Sequence, residues 1–187
     1  MSGDLKEMFE KVRERLVAYM KSREYEMEIA TTFNFVLHSE FEKAGLKPVF
    51  VGQYFVDYKN PTQTRVFCHQ GTEACSPLPI SGGVVGRAIR TGENQYVADV
   101  TQDESHVNCD PNMQGTEFVI ITWGEPYSLG EFAGKRVPIG VLDLDFNVKS
   151  ALSKEDCVEL EKIWVEYGKK IFPGEAKFQP GENISVR

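Results

Sequence analysis

The chain has 187 residues, of which 41% are hydrophobic and 26% are charged, and its formal net charge is −7. A chain of this length can bury roughly 70% of its unfolded surface, so it needs no disulfide or metal to hold a core. The negative charge argues against nucleic acid as the main partner, because binding to phosphates is driven by Lys and Arg.

Two amphipathic helices are predicted at the start of the chain, within residues 4–44. In both helices the apolar residues recur at helical spacing. Gly45 and Pro48 provide the stop of the second helix. Because each helix has one apolar face, the pair either covers a sheet or packs against a second subunit. A homodimer through these helices is therefore one hypothesis.

The N-terminal segment carries charge from Asp4 onward and has no apolar leader. No window of the chain approaches the ~18 apolar residues of a membrane span. We therefore expect a cytoplasmic protein without membrane association. The cysteines form no C-x-x-C pair, and in a reducing compartment they are expected to be thiols unless chemistry makes them something else. They are Cys68, Cys75, Cys109 and Cys157.

The middle of the chain, residues 48–147, is predicted to form a sheet with long connections. Segments rich in β-branched and aromatic residues indicate at least five strands. They occupy residues 49–58, 64–70, 95–100, 117–123 and 137–146. The Gly-rich segment "SGGVVG" at Ser81–Gly86 is predicted to open a short helix, and residues 124–136 a long hairpin loop.

A closing helix is predicted over residues 153–172. Ser153 and Asp156 have the spacing of a capping box at its start, and Pro173 and Gly174 end it. Residues 174–187 have little apolar content and are predicted to be a flexible tail. The chain is therefore expected to be one α+β domain over residues 1–173, with a mostly antiparallel sheet of five or six strands flanked by helices.

Two carboxylates extend one face of the last predicted strand. Strand alternation places Ile139, Val141, Asp143 and Asp145 on the same face, with the two acids roughly 7 Å apart. Buried charges are costly unless they are paired, so acids at the end of a core-facing stripe indicate a pocket for a cation. Alternatively, the strand enters solvent after Val141 and both acids are hydrated.

One cysteine lies in the polar segment "DESHVNCDPNMQGTE", residues 103–117. Nearby anions such as Asp110 raise the pKa of a thiol, whereas His106 can offset this as a proton acceptor or a cation. Three interpretations of Cys109 stay open: an inert surface thiol, a nucleophile and a metal ligand. The metal site would draw on His106, Cys109, Asp143 and Asp145, which lack the paired short spacings of structural zinc sites.

The Gly-rich segment before the short helix is a second candidate feature. Backbone amides at such a helix start can hold an anion, but a turn without a ligand has the same sequence. The segment lacks the "GK[ST]" ending of a P-loop, which disfavours a nucleotide site. Cys75 precedes it in "TEACSPLPI", where Pro77 and Pro79 exclude a helix, and its simplest interpretation is a half-buried loop thiol.

Taken in order, these segments resemble the GAF-fold free methionine-(R)-sulfoxide reductases. The resemblance covers roughly Ile29–Ile171 and rests on "GQYF", "EACSPLPISGGVVGRAIRTGENQYVADV", "SHVNCD", "TEFV" and "IGVLDLD". It implies a GAF-like α+β fold and a thioredoxin-dependent oxidoreductase that acts on free methionine sulfoxide. It implies neither a cofactor nor a metal.

The resemblance also implies the two catalytic residues. Cys109 would attack the sulfoxide sulfur of free L-methionine-(R)-S-oxide, and methionine would leave a sulfenic acid on Cys109. Cys75 would then form a disulfide with Cys109, which thioredoxin would reduce. Val85 stands where many family members carry a third cysteine, so the cycle is expected to use two cysteines. The alternative is a non-catalytic GAF module that senses a small molecule or redox state.

Five further residues are implied to bind the substrate. Glu117, Asp143 and Asp145 match the family's acids, which hold the substrate ammonium and form hydrogen bonds to the sulfoxide oxygen. Carboxylates that share a pocket raise each other's pKa, so one of them is expected to be protonated. Phe50 and Tyr54 match the aromatic residues that enclose the methyl sulfinyl group.

Overall fold

The structure is a computed structural model that describes residues 3–57, 59–110, 113–124, 137–172 and 184–186. Most of the predicted hairpin loop, residues 125–136, lies outside the described residues, as do residues 174–183 of the predicted tail. Within the described ranges, no helix is both long and apolar enough to cross a membrane.

Four helices and seven strands make up the described fold, and their order follows the predicted one closely. The helices are α1 (Gly3–Met20), α2 (Glu26–Lys43), α3 (Gly83–Thr91) and α4 (Lys154–Ile171). The strands are β1 (Pro48–Val56), β2 (Gln63–Gly71), β3 (Leu78–Pro79), β4 (Asn94–Val97), β5 (Thr116–Gly124), β6 (Val137–Phe146) and β7 (Ile184–Val186).

The strands form one sheet in the order β3-β2-β1-β6-β5-β4-β7. All neighbours pair antiparallel except β4 and β7, which are parallel. The predicted α+β class with a mostly antiparallel sheet is therefore confirmed. The sheet has seven strands rather than five or six, because β3 and β7 are too short to show a strand period in the sequence.

Two details of the prediction are wrong. Residues 184–186 were expected in a flexible tail, but they extend the sheet by pairing with β4 through their backbone. The third predicted strand, residues 95–100, ends at Val97, and Val100–Gln102 form a 3₁₀ turn. The turn forms because the Asp99 side chain accepts a hydrogen bond from the backbone N–H of Thr101.

Both faces of the sheet are covered, and each face has its own apolar cluster. Residues of α1, α2 and α4 pack on one face around Phe118, Leu142 and Leu144. On the other face α3 and the loops pack around Val119 and Val141. The apolar face of α2 thus covers the sheet and that of α1 packs against α2 and α4, whereas the homodimer stays a prediction. The capping box of Ser153 and Asp156 is present at the start of α4.

Candidate functional site

Three acidic side chains meet on the α3 side of the sheet because of the strand register. On β6, Asp145 is paired with Phe50 of β1 and with Glu117 of β5, while Asp143 is paired with Gly52 of β1. Residues two apart on a strand share a face. Carboxylate oxygens of Glu117, Asp143 and Asp145 lie within 4.8 Å of one another. This cluster of three residues is called the acid cluster below.

The acid cluster is withdrawn from water. Glu117 and Asp143 are each 5% exposed, and Asp145 is half-buried. Burial, reinforced by the neighbouring carboxylates, raises the pKa of Asp143 and of Asp145 well above the usual range. One buried oxygen of each, Oδ1, accepts no hydrogen bond from the described residues. These oxygens therefore favour a ligand that brings a proton or a positive charge.

A histidine completes the cluster on the β5 side. His106 Nδ1 lies 2.8 Å from Glu117 Oε2, and both side chains are largely buried. The hydrogen bond to Glu117 raises the pKa of His106, while burial raises the pKa of Glu117. His106 Nε2 is buried and has no hydrogen-bond partner among the described residues. The sequence showed His106 near Cys109, but the pairing across the loop depends on the fold.

The Cys109 loop is fixed to helix α3 by a polar network. The Arg87 guanidinium forms a salt bridge of 2.7 Å with Asp103 and donates a hydrogen bond to Ser105 Oγ. The Arg87 guanidinium holds the pKa of Asp103 well below its usual range. The backbone N–H of Gly83, whose φ is +71°, donates to the carbonyl of Ser105. These contacts help to hold His106 and Cys109, which follow in the loop, beside the acid cluster.

The two predicted catalytic cysteines are joined. Cys75, in the loop between β2 and β3, forms a disulfide with Cys109, and their Cα atoms are 5.6 Å apart. This Cα distance is typical of protein disulfides. Cys68 and Cys157 are free thiols, and Cys157 belongs to the apolar cluster on the α2 side of the sheet while the half-buried Cys68 packs against it. The structure therefore shows the oxidised state of the Cys75 and Cys109 pair.

An aromatic wall stands beside the acid cluster. Phe50 and Tyr54 project from the same face of β1, and their rings stack with centroids 5.9 Å apart. Burial raises the pKa of Tyr54, with a further contribution from Asp143 and Asp145. The phenol is therefore neutral and acts as an apolar surface with one polar end.

All seven residues predicted for the site line one cavity of about 40 Å³. They are Phe50, Tyr54, Cys75, Cys109, Glu117, Asp143 and Asp145. The Gly-rich segment also contributes, because Gly82, Gly83 and Val84 at the start of α3 line the same cavity. Helix α3 has no side-chain cap at its start, and because the Gly83 amide is bonded to Ser105, the amides of Val84 and Val85 are the ones that can face an anion there.

The metal site considered from the sequence does not form as predicted in the described residues. Cys109 is bonded to Cys75, and a disulfide sulfur is not a thiolate ligand. The close group of ligand atoms consists of Glu117, Asp143 and Asp145 instead. Their oxygens suit a hard cation better than zinc, and they equally suit an ammonium group.

No protein-family model matches the chain. A similar curated protein is the free methionine-R-sulfoxide reductase of Escherichia coli strain K12, which is 30% identical over 101 residues. The matched region is 50% of this chain and 54% of that protein, so the chain spans about half the length of the relative. The predicted resemblance is thus found again in an independent comparison.

Solved structures establish the GAF fold. A structure described as that of the GAF domain has a TM-score of 0.73 and 20% identity, and the match covers 95% of this chain and 92% of the other. The free methionine-R-sulfoxide reductase of Neisseria meningitidis, in complex with its substrate, has a TM-score of 0.71 and 22% identity. That match covers 91% of this chain and 92% of the other.

Proposed function

We propose that the chain reduces free L-methionine-(R)-S-oxide to methionine, with Cys109 as the nucleophile and Cys75 as the resolving thiol. One observation carries the proposal: a cysteine pair able to form a disulfide lines the same cavity as three buried acids. Its sequence and structural likeness to enzymes of this activity supports the choice of substrate.

The acid cluster supplies the recognition of a free amino acid. The ammonium group of a free amino acid brings a positive charge to the buried carboxylates of Asp143 and Asp145. A methionine sulfoxide residue within a peptide has no such ammonium group. Val84 and Val85 at the start of α3 line the same cavity, and their backbone amides are suited to the α-carboxylate. Phe50 and Tyr54 provide an apolar surface for the methyl group. We therefore assign the site to a zwitterion with a short polarised side chain.

The chemical step needs a thiolate and a proton. The Cys109 thiolate attacks the sulfoxide sulfur, and a proton passes from a protonated acid of the cluster to the sulfoxide oxygen. The oxygen is transferred to Cys109 as a sulfenic acid, and methionine leaves with the electron pair. A carboxyl whose pKa is raised by burial can hold this proton near neutral pH.

The resolving step leads to the state that the structure shows. The Cys75 thiol attacks the sulfenic sulfur of Cys109, a disulfide forms, and the oxygen leaves as water. A dithiol reductant of the thioredoxin class then returns both cysteines to thiols, taking on a disulfide of its own. The 5.6 Å between the Cα atoms supports this direct resolution without a third cysteine.

A steady-state assay with separate epimers tests the proposal. The full-length protein, with dithiothreitol as reductant, is expected to release methionine from the R epimer of the free amino acid and not from the S epimer. A Cys109→Ser variant is expected to release none, while Cys68→Ser serves as the matched control and keeps the activity. Activity that survives Cys109→Ser overturns the mechanism.

The same protein preparation distinguishes the reductase function from the alternative, a sensor module. A non-catalytic GAF module would bind methionine sulfoxide without releasing methionine. If calorimetry shows that the R epimer binds to the reduced wild-type protein and no methionine is detected after prolonged incubation, the result supports a sensor and contradicts the reductase function.

A further inference from the structure

A largely buried ion pair connects the Cys109 loop to helix α3. Two guanidinium nitrogens of Arg87 contact the two carboxylate oxygens of Asp103, at 2.7 Å and 3.2 Å. A forked contact of this kind fixes the relative orientation of the two side chains as well as their distance. The remaining guanidinium nitrogen, Nε, donates a hydrogen bond of 2.9 Å to Gln95 of β4, so the guanidinium is also held by the sheet.

The ion pair continues into the backbone of the loop. The Asp103 side chain accepts hydrogen bonds from the backbone N–H and the hydroxyl of Ser105, and its carbonyl accepts one from the backbone N–H of His106. The Ser105 carbonyl accepts one from the backbone N–H of Gly83, the first residue of α3, whose amide has no partner within the helix. The contacts of Arg87 and Gly83 with Asp103 and Ser105 are called the loop clamp below.

The loop clamp uses neither sulfur of the disulfide. The other side of the loop is held by the hydrogen bond of His106 to β5. Cys75 is held independently, because the neighbouring Ser76 accepts a hydrogen bond from the backbone N–H of Val66 on β2. Opening the bond between Cys75 and Cys109 therefore removes none of the contacts that fix the two loops.

We propose that Arg87 and Asp103 are positioning residues for the resolving step. They hold the loop of Cys109 beside Cys75 in the reduced protein, so that the Cα distance of 5.6 Å exists before the disulfide forms. In the resolving step the Cys75 thiol gives up its proton, the bond between the two sulfurs forms, the S–O bond of the sulfenic acid breaks, and the oxygen leaves as water. A loop that is already in place does not have to be ordered in this step.

The inference rests on the proposed function for the sulfenic acid, but the placement of the two thiols depends only on the clamp. A thermodynamic cycle separates positioning from plain stabilisation. If the clamp stabilised the oxidised and reduced folds equally, its loss would not change the equilibrium between disulfide and dithiol. If it positions the reduced loop, its loss frees that loop alone, because the disulfide still holds the oxidised one. Loss of the clamp then favours the dithiol and lowers the effective concentration of one thiol at the other.

Equilibration with reduced and oxidised glutathione measures this effective concentration. The full-length proteins carry Cys68→Ser, which removes the half-buried free thiol. Arg87→Lys keeps the charge but loses the forked contact, and we expect the effective concentration to fall about tenfold, which raises the midpoint potential by about 30 mV. Arg65→Lys, in the ion pair with Asp57, is the matched control and should keep the parent value. An unchanged midpoint in Arg87→Lys, or equal shifts in both variants, overturns the proposal.

Hydrogen exchange at the Gly83 amide tests the position of the loop directly. This amide should be protected in the wild-type protein both before and after reduction of the disulfide. In the milder variant Asp103→Asn it should stay protected while the disulfide is present and exchange about tenfold faster after reduction. Loss of protection in the reduced wild-type protein would show that the loop leaves α3 and would overturn the proposal. Neither experiment uses a sulfoxide, so both outcomes are independent of whether methionine sulfoxide is reduced.

Discussion

At the scale of single residues, the acid cluster favours the binding of a ligand but lowers the stability of the free protein. Asp143 is buried beside two other carboxylates, and one of its oxygens accepts no hydrogen bond from the described residues. Such a residue destabilises the free protein, and in the proposed function it serves to bind the substrate ammonium or to hold a proton for the sulfoxide oxygen. Asp57 shows the opposite case, because its ion pair with Arg65 holds its pKa well below the usual range.

Replacing Asp143 by asparagine should therefore stabilise the protein while weakening substrate binding. The pKa of Asp143 is raised in the folded state above 3.8, so its ionisation costs stability increasingly as pH rises above that value. We expect the free energy of unfolding of Asp143→Asn to exceed that of wild type by roughly 1–2 kcal/mol at pH 7, so that the variant melts at a higher temperature, with a smaller difference at pH 4. Calorimetry measures both.

A control of opposite sign accompanies this variant. Asp57→Asn removes an ionised partner of Arg65 and should lower the melting temperature at pH 7 without affecting the binding of methionine sulfoxide. If both variants lower the melting temperature equally, the buried carboxylate of Asp143 does not destabilise the free protein.

The histidines give a direct check on the pairing of His106 with Glu117. The hydrogen bond to Glu117 raises the pKa of His106 above 6.5, whereas burial lowers the pKa of His38 below it. NMR titration should show this order, and Glu117→Gln should lower the pKa of His106 alone. The stabilisation from the pair is present below pH 6.5 and is lost as the pH rises through the folded-state pKa of His106.

At the scale of elements, the strands β1, β6 and β5 place the site side chains in rows. Phe50, Asp145 and Glu117 form one row across the three strands. In the next row, Gly52 lies beside Asp143 and leaves room for the Phe50 ring to fold over the strand. The absence of a side chain at Gly52 thus shapes the aromatic wall.

A methyl group at Gly52 should displace this wall. A Cβ atom there would lie 2.5 Å from Phe50 Cζ and 2.7 Å from His69 Cβ. We expect Gly52→Ala to weaken the binding of methionine sulfoxide by about tenfold, measured as KM or as a calorimetric Kd. Gly45→Ala is the control: its φ of +77° makes it costly in stability, but the site should keep its affinity.

The sequence predicts these elements far better than it predicts how they meet. Strand alternation alone placed Asp143 and Asp145 on one face, because the period of a strand is local. The contact of Glu117 with both of them depends on the pairing of β5 with β6, which is a long-range property. The disulfide partners are 34 residues apart, and only the family resemblance predicted their pairing. The strand β7 was missed because three residues carry no period.

At the scale of the whole molecule, the disulfide links two loops on the α3 side of the sheet. It closes a span of 34 residues and restricts the unfolded chain. Reduction of the wild-type protein should therefore lower its free energy of unfolding by about 3–4 kcal/mol, as measured by urea denaturation. Cys75→Ser should match the reduced protein and be insensitive to dithiothreitol, whereas Cys68→Ser should behave as wild type. A wild-type protein indifferent to reductant contradicts this expectation.

The most direct test of the central claim is a single turnover by reduced Cys75→Ser with an excess of the R epimer and no reductant. This variant keeps the nucleophile and lacks the resolving thiol. One methionine is expected to be released per chain, and Cys109 is expected to gain the mass of one oxygen as a sulfenic acid. Release of no methionine, or an oxygen found on a residue other than Cys109, would contradict the account.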